Sequence, residues 1–223
     1  MSFADLGPFW LSLQVAGLAT FLVVVAGTPL AWILARVRFV GRDLIAGFLT
    51  LPVVLPPTVV GYGLLLLLGR RGFLGRWLDQ AFGVVVVFHW SGAVLASAVM
   101  AAPMFLIPVR GAFAAVDPEL EAAARLLGRG EASVFWSITL PLSRRGFVAG
   151  VVLAFARALG EFGATLMVAG NIPGRTRTAS LAIYDAVLAD QIALAGGYSL
   201  LVGITALGAV FVAQRSERSG QSR

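Results

Sequence analysis

The sequence predicts an all-α polytopic membrane protein with about five transmembrane helices. Of its 223 residues, 59% are hydrophobic and only 13% are charged, and the mean hydropathy is +0.90. The apolar residues lie in runs long enough to cross a bilayer, which a soluble domain of this size rarely contains. We therefore expect one transmembrane domain over residues 1–214, followed by a polar, disordered cytoplasmic tail over residues 215–223.

Five apolar stretches account for the predicted spans. They cover about residues 8–35, 44–69, 84–113, 146–169 and 194–213. The second stretch contains Pro52, Pro56 and Pro57, which cannot all fit one regular helix, so we expect a kink or break near mid-membrane. The third stretch is expected to be interrupted at Pro103 and Pro108.

Two connectors are expected outside the membrane core. Residues 70–80 are amphipathic, with Phe73 and Trp77 among the apolar side chains on one side, and could lie in the outer interface. The sequence leaves open whether they form an additional helix. Residues 170–193 are mostly polar and are interpreted as an external segment.

Residues 117–141 form the longest stretch whose composition suits water. Asp117 supplies an N-cap carboxylate, and Pro118 follows where its missing N–H costs little, so a helix is expected to begin here. Gly128 permits a sharp turn, and a second short helix is expected over about residues 131–139 before Pro141 ends it. The pattern predicts a helix–turn–helix that projects from the membrane between spans three and four.

The distribution of arginines predicts which side of the membrane each connector occupies. Five spans place the termini on opposite sides, and a cytoplasmic helix–turn–helix then puts the N-terminus outside and the C-terminus inside. Eleven of the 17 arginines fall inside in this arrangement, five fall outside, and Arg157 lies within a span. Because basic residues are retained on the cytoplasmic side, this orientation is favoured over its inverse.

Arg157 and Glu161 are the charged residues of the fourth predicted span. They are four positions apart, which places them on one face of a membrane helix. Ionisable groups at this depth are costly and are normally paired. The two residues could form an ion pair that fixes the helix against its neighbours. Alternatively, Arg157 could supply positive potential along an anion path, with Glu161 moderating it.

Several functions are excluded by residues that the sequence lacks. With no cysteine and a single histidine, His89, neither a disulfide framework nor a metal site is expected. With no lysine, the chain cannot form a Walker A phosphate loop, so we expect it neither to hydrolyse ATP nor to hold a cofactor. The net charge of +6 is interpreted as a topology signal rather than as a nucleic-acid-binding surface. The N-terminus lacks the positive region of a signal peptide, so the first apolar run is expected to be retained.

Within the helix–turn–helix, a glutamate and two alanines are followed by a glycine and then by Ile-x-Leu-Pro. The residues concerned are Glu121, Ala122, Ala123, Gly128, Ile138, Leu140 and Pro141. This pattern resembles the EAA loop of ABC-importer permeases, which implies a cytoplasmic coupling helix that docks into a groove on an ATPase subunit. The alternative is an ordinary loop helix that binds nothing.

A second pattern surrounds the charged pair. LGEFGAT occupies residues 159–165, NIPG and TRT follow at 171–174 and 176–178, and LPVVLPPTV begins at Leu51. Together these stretches resemble the signature of molybdate-importer permeases, and the resemblance extends over about residues 11–213. Sulfate and tungstate permeases share much of the same pattern.

This resemblance implies a type I ABC importer fold in the cytoplasmic (inner) membrane. It also implies a homodimer, two copies of a cytoplasmic ATPase that uses ATP and Mg, and an external oxyanion-binding protein. The substrate would be molybdate, with tungstate or sulfate as alternatives. A stand-alone anion channel or carrier is a further alternative, although it leaves the coupling loop unexplained.

The resemblance also implies two sets of candidate residues besides the coupling loop. The translocation path or its gate would include Pro52, Pro56, Pro57, Thr58, Arg157, Glu161 and Thr165. The external binding protein would contact Asn171, Gly174, Arg175 and Arg177. The latter segment could equally be a solvated connector whose arginines only keep it in water.

Overall fold

The computed structural model describes residues 6–218, and its regular elements in this range are all helical. The α-helices are α1 (Gly7–Arg36), α2 (Arg42–Val54), α3 (Pro57–Leu68), α4 (Phe73–Phe82), α5 (Trp90–Ala114), α6 (Pro118–Leu126), α7 (Glu131–Val134), α8 (Leu140–Leu159), α9 (Gly163–Ala169), α10 (Ala179–Leu188) and α11 (Ile192–Arg218). A π-helical segment, Phe135–Thr139, joins α7 to α8. The predicted all-α class is confirmed.

The described residues contain four or five membrane-spanning units. Four helices are long and apolar enough to cross a bilayer: α1, α5, the continuous helix over residues 131–159, and the Ile192–Phe211 part of α11. The pair α2–α3 makes a fifth if it is counted as one span, and its two halves are bent by 116°. The bend falls at Leu55 and Pro56, where two successive prolines lack backbone donors and favour extended backbone before them, and Pro57 then begins the next helix.

The core of the molecule is the bundle of α1, α5 and α8. Small residues in these helices allow close approach, as expected where packing rather than water exclusion drives association. A Cβ atom at Gly27 of α1 would lie 2.8 Å from the ring of Phe105, and one at Gly150 of α8 would lie 3.1 Å from the Phe105 carbonyl oxygen. Phe105 is fully buried and stacks edge-to-face on Phe147.

The third span differs from its prediction at its start and at its prolines. It begins at Trp90 rather than near residue 84, and α5 continues through both Pro103 and Pro108. Each proline removes one backbone hydrogen bond, but α5 is packed between α1 and α8 and its neighbours hold it in place. A buried helix therefore tolerates two prolines that would break an isolated one.

The fourth span differs at both ends. Pro141 does not end a helix, since the continuous helix over residues 131–159 passes through it directly after the π-helical segment. The span also does not continue to residue 169, because α8 ends at Leu159 and α9 begins only at Gly163. Glu161 therefore lies in a break between two helices and not on the same helix as Arg157.

The segment over residues 170–193, interpreted from its composition as mostly polar, contains the packed helix α10. Leu181 and Ala186 of α10 are buried, and the N–H of Ala179 donates to Ser12 Oγ of α1 at 2.7 Å. The short apolar face of α10 is covered by α1 and α11. The segment is thus part of the fold rather than a polar connector.

Two further elements extend beyond their expected form. The amphipathic connector forms the helix α4, with Phe73 and Trp77 exposed along one side. Helix α11 continues to Arg218, so the first part of the expected disordered tail is helical. Residues 219–223 of that tail lie outside the described residues.

Candidate functional site

The predicted coupling loop, residues 117–141, forms a helix–turn–helix held by short-range contacts. Asp117 Oδ1 accepts a hydrogen bond from the N–H of Glu119 at 2.9 Å, which confirms the expected cap of α6. Gly128 has φ +80°, a left-handed conformation that turns the chain towards α7. Arg125 closes the turn, since its Nε lies 2.6 Å from Glu131 Oε1, and this hydrogen bond raises the pKa of the Arg125 guanidinium.

The outer face of this loop carries apolar side chains. Leu126 and Leu127 are 90% and 83% exposed, and Leu120 is also exposed one to two turns earlier. Ala122 and Ala123 are exposed between them and present little bulk. Exposed leucines beside small alanines are typical of a surface that a partner protein covers.

The inner face of the loop is closed by Glu121. This residue is only 3% exposed, and its Oε1 accepts hydrogen bonds from Arg36 Nη2 at 2.8 Å and from Thr139 Oγ1 at 2.7 Å. Of the remaining coupling candidates, Ile138 is half-buried in the π segment, while Leu140 and Pro141 lie in the first turn of α8. The residues of the loop motif therefore lie on two surfaces: Ala122 and Ala123 face outward, and Glu121 faces the rest of the chain.

The breaks in two spans meet at a second site. A Cβ atom at Gly163, the first residue of α9, would lie 3.0 Å from Pro57 Cβ and 3.4 Å from the Thr58 nitrogen. Pro57 and Thr58 are the first residues of α3 and are exposed in the single chain. The positive end of the α3 dipole thus lies beside the start of α9.

Glu161 occupies the break that leads into α9. Its Oε1 accepts from the N–H of Ala164 at 2.8 Å, so the carboxylate is placed at the positive end of α9. Its Oε2 lies 2.7 Å from Arg157 Nη1, and among the described residues it makes no hydrogen bond of good angle. The Glu161 side chain is buried, whereas that of Arg157 remains 28% exposed. The pair thus combines a buried carboxylate with a partly exposed arginine side chain.

The other candidate residues of the path differ in how exposed they are. Pro56 is exposed at the bend, and Pro52 is half-buried within α2. Thr165 is fully buried, with its Oγ1 3.5 Å from Ser97 Oγ of α5. Thr165 therefore contacts the neighbouring helix in this conformation and is not accessible from a path.

The predicted binding-protein loop, residues 171–178, is fixed by a triangle of polar side chains. Asn171 Nδ2 donates to Asp185 Oδ1 at 2.8 Å, Arg177 Nη2 lies 2.9 Å from Asp185 Oδ2, and Arg177 Nε donates to Asn171 Oδ1 at 3.1 Å. Gly174, with φ +72°, and Arg175 are exposed at the tip of the loop. Asn171 and Arg177 thus brace the loop, while Gly174 and Arg175 are open to a partner.

Sequence reasoning missed three residues of these sites: Arg36, Thr139 and Asp185. Arg36 lies at the end of a span, Thr139 in a loop helix and Asp185 in the supposed polar connector. Composition alone was the basis for interpreting all three segments. A charged residue within the apolar stretch ASLAIYDAVL is the one local signal that could have singled out Asp185. Arg36 and Thr139 carry no such signal, because their partner Glu121 is remote from both in sequence.

The contact between α3 and α9 gives a first prediction. A Cβ atom at Gly61 would lie 2.7 Å from the Ala164 Cα and 3.1 Å from its carbonyl oxygen, which are backbone atoms that cannot rotate away. We expect Gly61→Ala to destabilise the purified chain by about 1–3 kcal/mol, measured as a lower thermal midpoint in detergent. Gly63→Ala on the same helix meets no atom within 4 Å and is the matched control. Equal midpoints for the two variants would contradict the close packing.

Comparison with known proteins places the chain among transport proteins. The family model described as binding-protein-dependent transport system inner membrane component matches residues 27–218. The molybdenum transport system permease protein ModB of Escherichia coli strain K12 is 51% identical over 79% of this chain and 77% of that protein. The putative molybdenum transport system permease protein YvgM of Bacillus subtilis is 39% identical over 94% of this chain and 92% of that protein.

Solved structures with low sequence identity share the fold. A bacterial ABC transporter involved in the import of the acidic polysaccharide alginate superposes with a TM-score of 0.77 at 18% identity, covering 98% of this chain and 80% of that chain. The inward-facing MetNI methionine ABC transporter gives a TM-score of 0.69 at 15% identity, covering 95% and 94%. These similarities extend over nearly the whole chain and establish its architecture.

Proposed function

The chain belongs to the family of binding-protein-dependent transport system inner membrane components, and we propose that it is the permease subunit of an ATP-driven molybdate importer. The observation that carries this proposal is the 51% identity to a molybdenum transport permease over four-fifths of the chain. Exposed leucines on the coupling loop, a bent span and a partly exposed arginine within another span are features such a subunit needs.

A second copy of the chain is the proposed cover for α2 and α3. Among the described residues, none of α2 is buried and only Gly61 and Leu68 of α3 are. The bend at Leu55 and Pro56 frees backbone groups, and such groups are tolerated at membrane depth only against protein or a water-filled cavity. A homodimer in which α2 and α3 of both copies face each other satisfies this requirement and encloses a path.

The remaining partners are assigned to opposite sides of the membrane. Two ATPase subunits, which use ATP and Mg, would bind the exposed leucines of the two coupling loops on the cytoplasmic side. The external oxyanion-binding protein would meet the loop tip at Gly174 and Arg175. This arrangement places the N-terminus outside and the C-terminus inside the inner membrane. The chain itself contributes transport and not hydrolysis, in keeping with its lack of any lysine for a Walker A loop.

The path supplies weak positive potential rather than a tight anion site. The start of α3 and the exposed part of Arg157 are positive, but the buried carboxylate of Glu161 lies within 2.7 Å of that arginine. A divalent oxyanion is therefore attracted without being held, so it can leave when the two copies rearrange from outward-open to inward-open. Pro56, Pro57 and Thr58 would line this path or its gate.

The proposal is tested by ATP hydrolysis of the reconstituted permease–ATPase complex. We expect binding protein loaded with molybdate to stimulate hydrolysis several-fold over the unloaded protein. Tungstate and sulfate, tetrahedral dianions of similar size, are the comparison substrates. Stimulation by sulfate alone would retain an importer and reject molybdate as its substrate. A chain that co-purifies with no ATPase would reject the importer and favour a stand-alone anion channel or carrier.

A further inference from the structure

Glu121 points into the chain although it belongs to a helix whose other faces are exposed. Its neighbours Ala122 and Ala123 are open to solvent, whereas the Glu121 side chain is 4% exposed. A carboxylate at this depth cannot contact a docked partner without leaving its own hydrogen bonds. Glu121 therefore has a role within the permease.

The contacts of Glu121 join three separate parts of the fold. Arg36, in the last turn of α1, donates to Glu121 Oε1 through Nη2, and the same nitrogen donates to the carbonyl oxygen of Val116 at 2.9 Å. Thr139, at the end of the π segment before α8, donates to the same carboxylate oxygen. Arg125 of α6 lies 3.7 Å from Glu121 Oε2. One buried carboxylate thus ties the loop to the end of α1 and to the π segment before α8, and Arg36 extends the link to Val116 after α5.

These contacts depend on one another because the groups are buried. A carboxylate out of water is stable only while it is paired and hydrogen-bonded, and so is the 14%-exposed side chain of Arg36. Removing one member leaves the other charge without compensation. The loop therefore cannot move away from α1 and α8 unless the whole group is broken.

The π segment sets the position of Thr139. The N–H of Leu140 bonds to the carbonyl oxygen of Phe135, five residues earlier, so one residue is inserted relative to an α-helix. An inserted residue rotates everything that follows by roughly 100°. In this register Thr139 is buried against Glu121 and its carbonyl oxygen accepts from Ser143 Oγ of α8.

We propose that Arg36, Glu121 and Thr139 form a transmission clamp, which transfers the movement of the coupling loop to α1 and α8. This inference rests on the proposed function. Arg36 and Thr139 are positioning residues, and Glu121 acts through them rather than at the ATPase surface. The outer leucines bind the ATPase, and the clamp makes the loop and the spans move as one body.

The first test measures transmission separately from docking. In the reconstituted complex, we expect Arg36→Gln to bind the ATPase subunit in an amount within twofold of that bound by the unsubstituted chain. We also expect it to lose most of the several-fold stimulation of ATP hydrolysis by molybdate-loaded binding protein. Arg36→Lys should restore part of the stimulation, and Arg38→Gln, which removes an exposed arginine two residues on, should leave it unchanged. Unaltered stimulation in Arg36→Gln, or loss of ATPase in parallel with stimulation, would overturn the clamp.

A second test does not depend on transport. Since the chain has no cysteine, two spin labels can be placed at Ile33→Cys on α1 and Leu126→Cys on the loop without a background signal. We expect one narrow distance distribution, broadened at least twofold by Arg36→Gln or by Thr139→Val, which keeps both charges. An unchanged width in the variant that folds would refute the clamp. An unsubstituted complex that is not stimulated by loaded binding protein would instead reject the proposed function.

Discussion

Gly128→Trp is expected to remove the ATPase from the complex while leaving the spans folded. Gly128 lies at the exposed turn of the coupling loop with φ +80°, and no atom lies within 4 Å of a Cβ built there. The substitution therefore places an indole ring on the proposed docking surface beside Leu126 and Leu127. It also costs about 1–2 kcal/mol of local strain, since an L-residue disfavours this conformation. We expect at least a tenfold decrease in ATPase recovered with the tagged permease.

The control for this variant is Gly41→Trp. Gly41 has φ +89° in the turn between α1 and α2, and it too has no atom within 4 Å of a built Cβ. The two substitutions therefore add the same bulk and similar backbone strain at different exposed turns. Retention of ATPase by Gly41→Trp and its loss by Gly128→Trp would locate docking at the coupling loop. Equal recovery of ATPase by both variants would show that the turn at Gly128 does not face the partner.

The features of this loop that could be predicted are those set by neighbouring residues. The cap at Asp117 and the turn at Gly128 require only a side chain or a conformation within a few positions, and both are present. The bend before Pro57 is local in the same sense, because proline itself removes the hydrogen bond that would continue the helix. Sequence reasoning succeeds where the residues that determine a feature lie within about one helical turn of it.

The break after Leu159 has no such local cause. The stretch LGEFGAT contains no proline, and its spacing fits one continuous helix. The chain leaves the helix there because Glu161 bonds the N–H of Ala164 and because Gly163 packs against Pro57 of another span. The latter contact joins residues about a hundred positions apart, and periodicity carries no information about it.

The direction of Glu121 illustrates the same limit within a recognised motif. The EAA pattern indicates that a helix is present and that it belongs to a coupling loop, but it does not say which face is buried. That face is decided by Arg36, 85 residues earlier, and by Thr139, whose position depends on an inserted π residue. The assignment of Glu121 to ATPase contact therefore remains a hypothesis, and the inward geometry favours a role in transmission.

Glu161→Gln is expected to destabilise the permease through the charge that it leaves behind. The glutamine carbonyl can still accept from the N–H of Ala164, so the change isolates the ion pair with Arg157. Breaking a buried pair typically costs about 3–5 kcal/mol, and the 28% exposure of Arg157 places this case at the lower end. For a chain of this size, about 3 kcal/mol corresponds to a decrease of roughly 6–12 °C in thermal midpoint. A midpoint within 1 °C of the unsubstituted chain would contradict this expectation.

The double variant Arg157→Gln/Glu161→Gln decides between the two roles that the sequence left open. Removing both charges leaves no uncompensated ion, so the thermal midpoint should recover most of the loss of the single variant. If the pair only fixes the helix break, molybdate uptake should recover with the midpoint. If the exposed part of Arg157 attracts the oxyanion, the double variant should be stable and still transport at least tenfold more slowly. We expect this second result, because the Arg157 side chain remains 28% exposed although its partner carboxylate is buried.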